Sequence, residues 1–108
     1  MTRYKFGDII LVLFLQPDGV RKKRPALVIL DYGDDDIVLA PITTTERKGK
    51  GDYEIKEWQN SGLLLESWLR LSKIACLAKD DIERTFGKLT LSDRKGTIST
   101  WKKTYKFI

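Results

Sequence analysis

The residues of this chain best equipped for chemistry are its cations. Residues 21–32 read RKKRPALVILDY, so Arg21, Lys22, Lys23 and Arg24 run directly into a proline and an aliphatic block. Such a run is either a solvated loop or a site that the following strand holds in place. A further arginine, Arg70, lies in SWLRLS, where alternation sets Leu69 and Leu71 on one strand face and Trp68, Arg70 and Ser72 on the other. An arginine beside a tryptophan on an outward face suits base stacking and phosphate contact, although a solvated surface strand has the same pattern. The guanidinium is the group to expect at a phosphate, because its planar fork donates two hydrogen bonds and stays charged at any working pH.

What the chain lacks narrows that chemistry. There is no histidine and only one cysteine, which excludes a zinc site of the usual kind, a histidine-based triad and a paired-histidine ribonuclease centre. No metal site and no cofactor are expected, and any reaction must use Arg, Lys, Thr, Ser, Tyr, Asp or Glu. The 20 Lys and Arg against 15 Asp and Glu leave a net charge of +5, which favours an anionic partner, nucleic acid being the commonest for a small basic domain.

The elements that must position these groups follow from hydrophobic patterning. Residues 1–108 should form one domain, since composition does not shift along the chain. Ile9 to Leu15 is apolar at successive positions, as in a strand buried on both sides, and QPDG turns it back toward the basic run. ALVIL predicts a second strand and IVLAPI a third, with Pro41 suggesting an edge or a strand end. The polar stretch 43–52 predicts a flexible loop, YEIKEW a half-exposed strand, and the SWLRLSKIACLA region further strand. Asp80 and Asp81 ahead of Gly87 predict a short helix, KLT a last strand, and Ser92 the N-cap of a terminal helix with Ile98, Trp101 and Tyr105 on one face. Cys76, inside KIACLA, is expected as a buried thiol in a reducing compartment. No run is long enough to span a membrane, and the N-terminal region lacks a signal-peptide pattern, so a cytoplasmic protein is expected. Together these predict a mainly β fold with appended helices, a small curved antiparallel barrel closed by a C-terminal helix.

The order of motifs FGDIILVLF, KKRPALVI, IVLAPIT, GLLLESWLRLSKIACL and FGKLTLSD resembles the MazF/PemK family of toxin endoribonucleases, and it covers most of residues 6–93. The resemblance implies an SH3-like barrel and metal-independent cleavage of single-stranded RNA. It implies a homodimer whose RNA groove crosses the interface, and a cognate antitoxin whose acidic tail occupies that groove. It places the catalytic arginine on Arg24 and the catalytic threonine on Thr43, and more loosely an RNA-contacting arginine on Arg70. Lys22, Lys23, Thr44, Trp68 and Ser72 complete the candidate RNA-binding set. Where some members carry an acid two residues after that last arginine, this chain has Ser72, and its first inter-strand loop offers only Gln16 and Asp18 as polar groups. The chemistry expected is attack of the ribose 2′-hydroxyl on its own phosphodiester, leaving 2′,3′-cyclic phosphate and 5′-hydroxyl ends. Arginine is too basic to take the hydroxyl proton, so Asp8 or Asp18 could serve as base, or the site works by positioning and charge alone. The alternative is a non-catalytic SH3-like module that holds RNA or protein through the same basic loop.

Overall fold

Ile9, Ile10 and Val12 are all fully buried although strand alternation sends them to opposite faces. That is possible because β1 (Asp8–Leu15) lies in a sheet with a core on each side. The structure, a computed structural model, describes residues 3–106. Ile9, Leu27, Ala40, Ile42, Leu69 and Leu71 form one core with Leu89, and Trp101 packs against it. Ile10, Val12, Ala26, Val28, Ile37 and Leu39 form the other, flanked by Phe14, Leu77 and Ile82.

The strands that follow are β2 (Arg21–Leu30), β3 (Asp36–Thr43), β4 (Asp52–Glu54), β5 (Trp68–Arg70), β6 (Ala75–Ala78) and β7 (Ile82–Lys88). Their order is β4-β5-β3-β2-β1-β7, with β6 also paired to β3. The pairings of β1 with β2 and β7, of β2 with β3, and of β5 with β4 are antiparallel, as are those of β3 with β5 and β6. The mainly β architecture with a terminal helix is as the sequence predicts, but the sheet does not close on itself, so "barrel" describes its curvature only. Pro41 is not on an edge. It falls where β3 changes partner, between the β6 ladder at 36–39 and the β5 ladder at 42–43, so on that side its missing N–H interrupts no ladder bond.

Four sequence expectations are corrected. Residues 82–88 form β7 rather than a helix, because the ladder to β1 supplies partners that local acidic residues cannot offset, and Asp80 and Asp81 sit in a 3₁₀ turn before it. Gly87 is therefore no helix stop: a Cβ there would lie 2.6 Å from the Ser61 carbonyl oxygen, so the residue permits close backbone approach. The helix α1 (Leu91–Thr104) is capped by Thr90, whose side chain accepts from the Asp93 N–H, and not by Ser92. Cys76 is exposed, since β6 alternates and turns Ala75 and Leu77 inward. The predicted strand YEIKEW is strand only at its start, and Trp58–Ser61 is a 3₁₀ turn.

α1 is held by more than its apolar face. Asp93 is fully buried and accepts from the Tyr53 hydroxyl at 2.7 Å, Glu57 N at 2.8 Å and Lys56 N at 3.0 Å. Burial and this carboxylate push the Tyr53 phenol well above its usual pKa, so it stays a donor. Trp101 and Tyr105 stack with centroids 4.4 Å apart, and the Tyr105 hydroxyl donates to the Leu71 carbonyl at the end of β5, whereas Ile98 is 43% exposed. Among the described residues no helix is long and apolar enough to cross a membrane.

Candidate active site

β2 has β1 beside it throughout residues 21–27 but meets β3 only from Ala26 onward. Its basic half is thus free on one side, and alternation divides the cations between two faces. Arg21 and Lys23 point one way, to Asp81 at 2.5 Å and Glu83 at 3.9 Å. Lys22 and Arg24 point the other way, opposite Phe14 and Val12 of β1. Pro25 follows Arg24 and then the fully buried Ala26, Leu27 and Val28 anchor the strand, so the backbone of Arg24 is fixed while its side chain is exposed.

Thr43 reaches the same place from the next strand. Ala26 pairs with Pro41, so two residues further along each strand Arg24 and Thr43 project from one face. Thr43 in turn pairs with Trp68, and Arg70 lies two residues beyond on that face. The result is an open cleft of about 390 Å³ lined by Phe14, Gln16, Arg24, Thr43, Arg47 and Arg70, with Leu15, Pro17, Pro41 and Ile42 as its apolar walls. Three arginines and no carboxylate face it. Arg24 and Arg47 have no ion-pair partner among the described residues, so their charge is available to a ligand. The Thr43 hydroxyl accepts from Thr45 N at 3.1 Å, which leaves its own proton to donate toward the cleft.

The remaining predicted residues separate. Lys22 shares the face of Arg24 but stands outside the cleft walls, as does Thr44 beside Thr43. Lys23 is turned to Glu83 on the opposite face. Trp68 is only 8% exposed and belongs to the core, so it offers no open stacking surface. Ser72 lies in the 3₁₀ turn after β5, with its Cβ against Gly51, away from the cleft. Asp8 and Asp18 are spent on local turns, accepting from Lys5 N and Val20 N, and neither lines the cleft. Arg47 is the residue that sequence reasoning passed over. It stands in the polar loop 44–51 between β3 and β4, and only its position four residues after Thr43 could have marked it. A second cavity, of about 350 Å³, lies between β2 and α1, is walled by Phe6, Ile29, Leu30 and Trp101, and holds none of the candidate residues. Among the described residues no group of three His, Cys, Asp or Glu side chains is placed to hold a metal ion.

Residues 5–96 match the family described as the PemK-like, MazF-like toxin of type II toxin–antitoxin systems. The chain belongs to that family. Among solved structures, the fold of this PemK/MazF-like chain is similar to that of an endoribonuclease in complex with its cognate antitoxin from Mycobacterial species. That pair aligns with a TM-score of 0.76 at 16% identity, over 93% of this chain and 92% of the other. It is also similar to the Mycobacterium tuberculosis toxin MazF-mt6, with a TM-score of 0.72 at 21% identity, over 92% of this chain and 98% of that one. No curated protein sequence matches it. The family match spans β1 to β7, so every wall of the cleft lies inside the matched region.

Proposed function

We propose that this PemK/MazF-like toxin is a metal-independent endoribonuclease acting on single-stranded RNA. The observation that carries the reading is the cleft itself: Arg24 and Thr43 from neighbouring strands, joined by Arg47 and Arg70, with no carboxylate among the residues that line it. In this reading the scissile phosphate sits between Arg24 and Thr43. The ribose 2′-hydroxyl attacks the adjacent phosphorus, the bond from phosphorus to the 5′-oxygen breaks, and negative charge grows on the phosphoryl oxygens. The Arg24 guanidinium donates to those oxygens and the Thr43 hydroxyl adds a third donor. With no acid in the cleft, the 2′-hydroxyl gives its proton to water and water protonates the leaving oxygen. Rate enhancement then comes from positioning and charge stabilisation. Phe14 and Pro17 provide apolar surface for bases, while Arg47 and Arg70 hold flanking phosphates.

The same positive cleft suits an acidic antitoxin segment, which would compete with RNA for the three arginines and silence the enzyme. A cognate antitoxin, a homodimeric assembly and action in the cytoplasm complete the proposal; one of the similar structures is an endoribonuclease with its antitoxin bound. The test is incubation of the purified chain with long mixed-sequence single-stranded RNA in excess chelator. New fragments ending in 5′-hydroxyl and 2′,3′-cyclic phosphate are expected. Binding without cleavage under all conditions would instead make the chain a non-catalytic module, and cleavage only after a divalent ion is restored would refute metal independence.

A further inference from the structure

One carboxylate near the cleft is left with half of its hydrogen-bonding capacity unused. Asp52 of β4 pairs directly across from Arg70 of β5, and its side chain is only 9% exposed. Its Oδ2 accepts from Gly49 N at 2.8 Å, which fixes the orientation of the carboxylate. Its Oδ1 is buried without a hydrogen-bond partner, and so is Nε of Arg70, 3.9 Å away. A buried acceptor and a buried donor of opposite charge, facing each other just beyond bonding distance, form a contact ready to close. The guanidinium has one edge that carries Nε and another that carries its two terminal nitrogens. With Nε turned to Asp52, the terminal edge remains for the cleft that Arg70 lines.

We propose that Asp52 is the positioning residue of this site: it holds Arg70 by Nε so that the terminal edge of the guanidinium meets an RNA phosphate. This rests on the ribonuclease reading for the identity of the ligand, but not for the Asp52–Arg70 contact. Gly49 N–H keeps the carboxylate from rotating away, so Oδ1 has no competing donor.

Asp52→Asn is the discriminating variant, because its amide oxygen still accepts from Gly49 N–H while its NH₂ faces the Nε–H of Arg70, donor against donor. It should stay folded with its thermal midpoint lowered by no more than several degrees, and at a temperature well below that midpoint lose about tenfold in kcat/KM on mixed-sequence single-stranded RNA, as expected when one charge-assisted contact fails. In an Arg70→Ala background the same change should have no further effect, because Asp52 acts only through Arg70. An equal loss in both backgrounds, or no loss in the first, would overturn the proposal. In ¹⁵N-arginine spectra, the Arg70 Nε–H signal should be protected from exchange in the parent chain and unprotected in Asp52→Asn. That readout needs no turnover: if the parent chain does not cleave RNA, the ribonuclease reading fails, while an unchanged Arg70 signal refutes the role of Asp52.

Discussion

Replacing Arg24 tests the mechanism most directly. The side chain is exposed, has no ion-pair partner among the described residues, and lies on the half of β2 that β3 does not cover. Arg24→Ala should therefore change folding stability by less than about 0.5 kcal/mol. Its effect on catalysis is set by charge. A unit charge about 4 Å from the phosphoryl oxygens, at an effective dielectric of about 20 for a partly open cleft, contributes roughly 4 kcal/mol. Arg47 and Arg70 remain and the cleft is open, so a loss of about 3 kcal/mol is the better expectation, or roughly a hundredfold in kcat. Arg24→Lys keeps the charge but loses the planar fork, and the loss of one charge-assisted hydrogen bond leaves it at least about tenfold below the parent. Initial rates on single-stranded RNA, with thermal melts of each variant, measure both quantities. An Arg24→Ala variant within threefold of the parent rate, or one whose loss of activity tracks a lowered melting point, would refute the assignment.

Other outcomes follow from the same geometry. A substrate with a 2′-deoxy nucleotide on the 5′ side of the scissile bond should bind in filter assays but resist cleavage, and Thr43→Val should slow cleavage of ordinary RNA about tenfold without changing its product ends; cutting of the deoxy substrate at that bond would mean that water attacks. Asp31, buried against Lys79 at 2.8 Å and accepting from Tyr4 N and Gly33 N, has its pKa lowered from 3.8 to about 2, with the Lys79 hydrogen bond the largest cause. Because the folded value lies below the unfolded one, this carboxylate contributes stability fully above about pH 4 and loses it as pH falls through 2. Asp31→Ala should cost about 3 kcal/mol in urea melts at pH 7 and remove that part of the acid dependence, and an unaltered profile would refute the pairing. Light scattering at micromolar concentration should give a dimer, and a monomer that cleaves RNA at full rate would remove the shared groove.

Strand content, the basic run before Pro25 and the absence of histidine were legible in the sequence because each is local. Consecutive apolar residues at 9–12 require burial on both faces whatever the topology, and a strand that alternates Lys22, Lys23 and Arg24 must divide them between two faces. Even Leu69 and Leu71 went inward as their period demands. The tertiary structure decided what those faces meet. Trp68 has the same local pattern as an exposed stacking residue, but pairing with both Thr43 and Glu54 buries it. Residues 80–87 carry helix-start and helix-stop signals, yet the open edge of β1 provides ladder bonds that draw Ile82–Lys88 into a strand. Cys76 is apolar by neighbourhood and exposed by the alternation of β6. The convergence of Arg24, Thr43, Arg47 and Arg70 depends on the β1–β2–β3–β5 register and on the path of the polar loop 44–51, which no local pattern specifies. Asp52 came to light only from its place opposite Arg70, because cross-strand register is a relation between distant segments and no local pattern encodes it.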